Sequence, residues 1–492
     1  MTDKLYIRKI DETWVKLICD LSILQELDDE FQFEVSGAKF HPKVKARIWD
    51  GFIHLIKVSK AKTYLGLVPD IKKFCEVRGY EFICDYDFTQ TLDPKELTET
   101  IRELKLPFKP HSHQLDGFFI ALKRKHSIVL SPTASGKSLL IYMLIKQFLE
   151  WDKKRILLIV PTINLVKQML GDFKEYAAEL DDNVDDYVHL IYGGQDKTVK
   201  KPVTISTWQS LYKDDNTFFE QFDVVLCDEV HLAAAASISS IMEKSTKAEY
   251  KLGFTGSLNE STTNQMSLKS LFGEPYRVAT TKELMDKGLI SDMRINCFVL
   301  KYSADIVKAY KKVEYKDEID FIVQHEPRNI FLKKLILSLE GNTLLLFRRI
   351  EKHGQLLYNM LKDELPADKL FFIHGGVDVD EREEVRRLTE LGDGVVVLAS
   401  MGVFQTGSSI KRLHNVILAQ PTKSSIAVIQ SIGRGLRLGH DKTMLNLYDV
   451  ADQLSNSKGK KNHTYEHFAG RLAIYNQEGF VYKITEVPLV DL

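Results

Sequence analysis

The stretch 128–140, IVLSPTASGKSLL, joins a short apolar run to a loop of small residues and the start of a helical pattern. The first turn of a helix offers unpaired N–H groups and a partial positive charge, which together favour a phosphate. In such loops a lysine neutralises the phosphates and a serine or threonine hydroxyl binds Mg²⁺. Lys137 is therefore a candidate catalytic residue and Ser138 a candidate magnesium ligand. The candidate nucleotide-binding residues in this loop are Ser131, Pro132, Thr133, Ala134, Ser135, Gly136, Lys137 and Ser138.

The loop departs from the phosphate-binding pattern GxxxxGK[ST] at its first position, which is Ser131. Ala134 also stands where many such loops have glycine, so only Gly136 reaches positive φ without steric cost before Lys137. A glycine-capped turn between a strand and a helix, with an exposed lysine, is the alternative interpretation. This segment alone does not decide between the two.

A second polar motif, Asp228-Glu229-Val230-His231, follows the apolar run of FDVVLCDEVH. Asp228 can hold Mg²⁺ through its water shell, and Glu229 can polarise the attacking water in phosphoryl transfer. An Asp-Glu pair at a strand end is most often a solvated turn. Downstream of a GKS loop in a chain of alternating strands and helices, the catalytic interpretation is favoured for both carboxylates.

A third motif, QSIGRGLR at 430–437, places Arg434 and Arg437 three residues apart, on one face if the segment is helical. We predict Gln430, Arg434 and Arg437 as catalytic residues, the two arginines clamping a γ-phosphate. They can reach the phosphates at Lys137 only if two lobes share one site. The alternative is an arginine pair on a surface helix.

The elements that must position these motifs alternate between apolar strands and helical patterns from about 113 to 280 and again from about 330 to 450. Such alternation predicts parallel sheets, whose ligands bind at the carboxyl ends of the strands. The expected fold is α/β, with two tandem parallel-sheet lobes preceded by a small α+β domain. We expect residues 14–24 to be helical and 281–329 to be less regular. The expected domains are 1–90, a connector at 91–112, lobe 1 at 113–285, a connecting segment at 286–329 and lobe 2 at 330–492.

Composition is that of a globular protein: 492 residues, 44% hydrophobic and 27% charged, a length that favours about three domains. No apolar run is long enough to span a membrane, and the first residues show no secretory pattern, so we expect a cytoplasmic protein without a membrane partner. Five scattered cysteines indicate neither a disulfide framework nor a zinc site.

The N-terminal segment contains a basic stretch, although the whole chain has a net charge of −1. The stretch from Lys39 to Lys73 contains nine basic and two acidic residues, a local net charge of +7, with aromatic residues interleaved. Such a surface suits a phosphate backbone, and we predict that Lys43, Lys45 and Arg47 bind nucleic acid. A solvated lysine-rich face is the alternative.

Taken together, GKS, DEVH and QSIGRGLR make residues 110–450 resemble a superfamily 2 helicase with a DExH box. Segments before and between these motifs match the family in order: HSHQ, VPTINLVKQ, ISTWQSL, FTGS, LLLFRRIEKHG, FIHGGVDVDERE and ASMGVFQTGSSI. With the small basic N-terminal domain, the layout is most similar to the UvsW group of phage recombination helicases. The lobes are then RecA-like.

The resemblance implies roles for further residues. Gln114 would read adenine, while His231, Thr255 and Ser257 would couple hydrolysis to movement. His111 and Gly256 depart from the pattern of the family, which affects adenine selectivity and coupling. The residues implied to contact nucleic acid in the lobes are Pro161, Thr162, Thr207, Arg348, His374, Gly375 and Thr406.

As an expectation, the chain is then an ATP- and Mg²⁺-dependent DNA helicase acting on branched or duplex-containing DNA, with RNA in RNA–DNA hybrids as a further candidate partner. An RNA helicase is one alternative, because these enzymes contact mainly phosphates. A nucleic-acid-binding scaffold with inactive lobes is the other.

Overall fold

The computed structural model divides into two compact units, residues 1–131 with 136–279 and residues 132–135 with 280–492. The expected α/β class, with a small α+β domain before two parallel-sheet lobes, is confirmed. The domain boundaries stay predictions. Within the described residues no helix is long and apolar enough to cross a membrane. The described residues are 3–35, 37–153, 155–180, 182–232, 235–258, 262–310, 313–405, 410, 412–420, 433, 436, 443–455 and 461–489.

The N-terminal domain contains a four-stranded mixed sheet and a separate antiparallel strand pair. Its elements are β1 (Lys4–Lys9), β2 (Trp14–Ile18), α1 (Leu21–Glu30), β3 (Gln32–Glu34), α2 (Pro42–Lys45), β4 (Phe52–His54), β5 (Lys62–Tyr64), α3 (Val68–Arg78) and β6 (Glu81–Cys84). The sheet order is β5-β2-β1-β6, and β3 pairs with β4. Residues 37–51, which lie between β3 and β4 and carry α2, are called the arm below.

The expectation of one helix over residues 14–24 is wrong. Trp14–Ile18 forms β2, which pairs antiparallel with β1, and the helix α1 begins only after Asp20. A short apolar run has no clear period, so pairing with a neighbouring strand decides its conformation.

The first lobe is built on a seven-stranded sheet in which every neighbouring pair is parallel. Its elements, with two preceding helices, are α4 (Pro94–Glu103), α5 (Ser112–Arg124), β7 (His126–Leu130), α6 (Lys137–Glu150), β8 (Ile156–Val160), α7 (Ile163–Tyr176), α8 (Val184–Tyr187), β9 (Val188–Ile191), β10 (Val203–Thr207), α9 (Trp208–Leu211), α10 (Asn216–Phe219), β11 (Val224–Asp228), α11 (Ala235–Lys244), β12 (Tyr250–Thr255), α12 (Thr262–Phe272) and β13 (Pro275–Arg277). The order is β13-β7-β12-β11-β8-β10-β9, so the loops after β7, β12 and β11 meet at one edge.

The N-terminal domain and the first lobe belong to the same compact unit and share one apolar core. Polar contacts add to that core: the Thr13 hydroxyl donates to the carbonyl of Met242 at 3.2 Å. Lys269 forms ion pairs with Asp70 at 2.6 Å and Glu274 at 2.7 Å. The N-terminal domain is therefore fixed on the lobe rather than tethered to it.

The second lobe has its own seven-stranded sheet, again parallel throughout. Its elements are α13 (Thr281–Asp286), β14 (Asp292–Lys301), α14 (Ala304–Ala309), α15 (Tyr315–Gln324), α16 (Glu326–Leu337), β15 (Thr343–Phe347), α17 (Gln355–Leu361), β16 (Leu370–Ile373), α18 (Val379–Leu391), β17 (Val396–Ser400), α19 (Met401–Gln405), β18 (Asn415–Leu418), β19 (Met444–Gln453), α20 (His463–Gln477) and β20 (Tyr482–Pro488). The order is β16-β17-β15-β18-β19-β14-β20.

Strand β14 falls in the segment that we expected to be less regular. It pairs with β19 along its whole length, from Asp292 opposite Met444 to Lys301 opposite Gln453, and with β20 on its other side. Buried and less buried residues mostly alternate along β14, because it is less enclosed than the strands predicted from continuous apolar runs. The sequence signal that could have predicted this strand was the alternation of apolar and polar residues with a period of two.

Lys251 on β12 is a buried cation between the N-terminal domain and the first lobe, with 1% of its surface exposed. Its ammonium group donates to the Thr13 hydroxyl at 2.5 Å and to the Met242 carbonyl at 3.2 Å. Burial is the main cause that lowers the pKa of Lys251 to about 7, with Lys9 adding to it and Asp11 opposing it.

Replacing Lys251 by Met should stabilise the first unit at pH 7 by on the order of 2 kcal/mol, because it removes an ammonium group whose burial is unfavourable. Thr13 and Met242 keep their mutual hydrogen bond in this variant. On unfolding, Lys251 regains a pKa near 10.5, so the unfolded chain binds more protons between about pH 7 and 10.5. Stability of the native chain therefore rises with pH across this window, and Lys251→Met should flatten that rise.

Urea unfolding at pH 7 and pH 9.5, followed by tryptophan fluorescence, measures this effect because all four tryptophans lie in the first unit. Lys247→Met, on the surface of the same unit, is the matched control and should leave the pH slope unchanged. A variant that is less stable at both pH values, with the native slope, would contradict the assignment.

Candidate active site

The loop between β7 and α6 has the shape of a phosphate-binding turn. Gly136 caps α6 in the left-handed region at φ 79°, and Ala134 also adopts positive φ, at 67°. The loop therefore keeps its conformation without a glycine at 134, at a cost of about 1 kcal/mol. A side chain at Gly136 would collide with the amide of Gln114, so glycine is required there.

Lys137 and Glu229, from loops far apart in the sequence, form an ion pair of 3.2 Å. The pair is largely enclosed, with 11% of the Lys137 side chain and 18% of the Glu229 side chain exposed. Glu229 has a positive φ of 49°, an unusual conformation for this residue type. Predicted catalytic residues of the first and second motifs thus meet in one site.

Asp228 ends β11 and is buried beside this ion pair, where its carboxylate accepts the backbone N–H of Glu229 at 2.9 Å. Burial, followed by the negative charge of Glu229, raises the pKa of Asp228 to about 7, and Lys137 opposes the shift. A buried carboxylate of this kind is stabilised as an anion by an additional cation.

His231 and Thr255 connect this site to the end of β12. The ring Nδ1 of His231 lies 2.5 Å from the Thr255 hydroxyl, and its distance to the Glu229 carboxylate is 3.4 Å. The Thr255 hydroxyl donates to the carbonyl of Ser257 at 2.8 Å. Burial lowers the pKa of His231, so the imidazole is neutral at pH 7. The three predicted coupling residues are therefore linked to the Lys137–Glu229 ion pair.

Ser138, the predicted magnesium ligand in the loop, makes a 2.8 Å hydrogen bond with the hydroxyl of Tyr176. Tyr176 ends α7, and sequence reasoning did not single it out because only the fold brings it to the loop. Among the described residues no group of three or more His, Cys, Asp and Glu side chains could hold a metal alone. The oxygen donors Ser138 and Asp228 suit Mg²⁺, which proteins bind through few side chains together with nucleotide phosphates.

Gln114 lies beside the phosphate loop. Its amide nitrogen donates to the carbonyl of Gly136 at 3.4 Å, and its oxygen accepts the backbone N–H of His111 at 2.8 Å. The latter bond is part of a capping box that starts α5. The predicted adenine-reading residue is thus placed next to the predicted nucleotide site. Ser131, at the loop's start, donates its backbone N–H to the backbone carbonyl of Thr255 at 2.9 Å.

The three first-lobe residues predicted to bind nucleic acid lie together at the ends of neighbouring strands. Thr162 caps α7 directly after Pro161, and Thr207 ends β10, which pairs with β8. The Gln209 side chain donates to the carbonyl of Pro161 at 3.2 Å and so joins the two loops.

In the second lobe, Arg348 and His374 follow β15 and β16, which flank β17. The backbone N–H of Arg348 donates to the side chain of Gln420 at 2.8 Å. The carbonyl of Gly375 accepts from Arg382 at 3.0 Å. Thr406, Gln430, Arg434 and Arg437 lie outside the described residues.

Lys43, Lys45 and Arg47 lie on the arm and are all exposed. Within the described part of the chain none of the three forms an ion pair, in contrast to many lysines of the first lobe. Their charges are therefore available to an external anion.

Two parallel-sheet lobes, a phosphate loop whose lysine pairs with a strand-end Asp-Glu motif, and a linked His-Thr pair define the class of superfamily 2 helicases. Three family models match the chain: "DNA helicase UvsW, N-terminal" at residues 5–85, "Type III restriction enzyme, res subunit" at 95–260 and "Helicase conserved C-terminal domain" at 328–439. The chain belongs to the UvsW family of ATP-dependent helicases. This membership implies ATP use and nucleic-acid binding.

Individual relatives agree with that assignment. The ATP-dependent DNA helicase uvsW of Enterobacteria phage T4 is 34% identical over 502 residues, covering 97% of this chain and 98% of the relative. The crystal structure of T4 UvsW matches with a TM-score of 0.52 and 32% identity, covering 99% of this chain and 100% of that one. A fragment of a putative HsdR subunit from Vibrio vulnificus, 17% identical, shares the fold with a TM-score of 0.58, covering 93% and 84% of the two chains.

Glu229→Gln should lower ATP turnover by about 10²-fold or more while ATP binding is retained, because the amide keeps the shape but cannot accept a proton. Steady-state phosphate release and calorimetric titration with ATP measure the two quantities. Glu220→Gln, a carboxylate of the same lobe on a surface ion pair, should leave both unchanged. Native turnover in Glu229→Gln would remove this residue from catalysis.

Proposed function

We propose that this chain is an ATP-dependent DNA helicase that acts on branched DNA, such as forks, four-way junctions, displacement loops and R-loops, in recombination, repair and replication. The main support for the proposal is the position of the N-terminal domain. Its exposed basic arm belongs to the same compact unit as the Lys137–Glu229 site, so DNA binding and hydrolysis act through one body. The similarity to T4 UvsW over nearly the whole chain supports DNA as the substrate.

In the hydrolysis step, Lys137 neutralises the nucleotide phosphates and Glu229 accepts the proton of the attacking water. Ser138 and Asp228 would hold Mg²⁺, which would neutralise phosphate charge. Gln430, Arg434 and Arg437 complete the chemistry from the second lobe. Gln114 contacts the adenine base.

His231 couples ATP hydrolysis to movement along the strand, because it contacts both Glu229 and Thr255. A change of charge at Glu229 alters the hydrogen bonds that Thr255 makes with His231 and Ser257. Pro161, Thr162 and Thr207 contact the tracked strand through its phosphates, as the nucleic-acid contacts of such motors do. The protein works in the cytoplasm, which is the host cytoplasm if the chain is phage-encoded like its T4 relative.

A substrate panel tests the proposed function directly. Fork, four-way junction, R-loop, plain DNA duplex and RNA duplex should be compared for ATPase stimulation and strand displacement. We expect branched DNA to give the largest effect on both. Preferential displacement of the RNA duplex would replace the proposal with an RNA helicase, and turnover without displacement of any substrate would leave only a nucleic-acid-stimulated ATPase.

Reversing the charges of Lys43, Lys45 and Arg47 together should weaken fork binding and flatten its salt dependence. Each phosphate contact contributes about 0.9 to the slope of log K against log salt on duplex DNA, so up to three contacts lower the slope by about 2 to 3. Fluorescence anisotropy at several salt concentrations gives the slope.

The matched control reverses Lys95, Arg102 and Lys105, which are also exposed and change the net charge equally. This control should lower affinity only slightly and keep the native slope. Equal slopes in the native chain and the arm variant would show that the arm is a solvated face.

A further inference from the structure

The arm exposes two large apolar side chains among its cations. Phe40 is 69% exposed and Ile48 is 76% exposed. Single exposed apolar residues are ordinary on protein surfaces. Two of them on one short connection, both beside basic residues, indicate a surface that meets something both apolar and anionic.

The two apolar residues project from adjoining stretches of backbone. Phe40 is next in the chain to His41, and Ile48 is next to Trp49. The rings of His41 and Trp49 meet edge to face with centroids 5.5 Å apart. The backbone N–H of Ile48 donates to the carbonyl of Lys43 at 2.9 Å, which ties the second stretch to α2.

The arm is held in a fixed shape. Gly37 and Gly51 stand at its two ends with positive φ of 76° and 91°, and a side chain at Gly51 would meet Ala38 at 3.0 Å. The indole N–H of Trp49 donates to the carbonyl of Phe52 at 2.8 Å, on β4. An apolar tip on a rigid support can transmit force to whatever it contacts, whereas one on a loose loop would yield.

The charge of the arm is one-sided. The arm contains four basic side chains and a single carboxylate, Asp50. The Asp50 carboxylate lies 2.8 Å from the ring Nε2 of His54. Hydrogen bonds from Phe52 and His54 lower the pKa of Asp50, so it stays ionised and paired. The basic residues of the arm are Lys39, Lys43, Lys45 and Arg47.

We propose that the arm is the element that separates strands at a DNA branch point, with Phe40 and Ile48 resting against the outermost base pair. The surrounding cations bind the phosphates on either side, and the apolar tip replaces the stacking that the opened base pair loses. Nucleic acid combines a dense negative charge with an apolar base face, which is the chemistry that this tip matches. The inference rests on the proposed function and adds the residues that split the duplex.

The decisive variant replaces Phe40 and Ile48 by Ser together, which removes the apolar tip and leaves every charge of the arm. Forks carrying 2-aminopurine at the junction base pair report its unstacking as increased fluorescence. The measurement is made without ATP, at protein concentrations shown by anisotropy to saturate the fork. Strand displacement with ATP is then divided by ATP turnover on the same fork.

The native protein should increase the 2-aminopurine signal, and the double variant should lose most of that increase. Displacement per ATP should fall about tenfold, since stacking of one or two bases is at stake. Phe40→Leu with Ile48→Leu should restore both readouts, because it restores the apolar surface. Val77→Ser, which removes an 85% exposed apolar residue from α3 of the same domain, should behave as the native protein.

Native fluorescence and native displacement per ATP in the double serine variant would overturn the proposal. An equal loss in Val77→Ser would overturn it as well, because the effect would then belong to the domain and not to the tip. Failure of the native protein to displace any branched substrate would refute the proposed function itself.

Discussion

The ion pair between Lys137 and Glu229 depends on the order of strands in the first sheet. β12 lies between β7 and β11, so the phosphate loop and the Asp-Glu motif reach the same edge with Thr255 between them. One cation there faces two carboxylates in an enclosed space, and burial makes the excess negative charge unfavourable. Burial and the negative charge of Glu229 accordingly raise the pKa of Asp228. Additional positive charge next to these carboxylates would therefore favour their ionised forms.

The shared core of the N-terminal domain and the first lobe fixes the domain that carries the arm to that lobe. The Tyr64 hydroxyl donates to Glu243 on α11 at 2.5 Å, and the backbone of Gly66 approaches α12 so closely that a side chain there would collide with the carbonyl of Lys269. A surface fixed in this way keeps its position relative to the Lys137–Glu229 ion pair. Any movement of the first lobe along DNA therefore carries the arm with it.

The sequence predicted most of the parallel sheets because strands buried on both faces appear as continuous apolar runs, as in Ile156–Val160 and Thr343–Phe347. The catalytic roles of Lys137 and Glu229 stay predictions, but their meeting in one site was predictable, since both motifs follow strands of one parallel sheet. What sequence did not predict depends on distant partners: β14 is defined by its neighbours β19 and β20, and Tyr176 reaches Ser138 only through helix packing. The burial of the Lys251 ammonium group likewise depends on Thr13 and Met242, which only the fold brings to it.

The position of β14 in the second sheet bears on how the chain assembles during translation. β14 spans residues 292–301, but its two partners are β19 at 444–453 and β20 at 482–488. The first unit can close while the ribosome is still making the second. β14 must then wait, with both of its edges unpaired, for about 150 further residues to emerge, the interval in which an unpaired strand is most prone to aggregate. Slow synthesis between residues 301 and 444 would lengthen that exposure, so chaperone dependence should be concentrated in the second lobe.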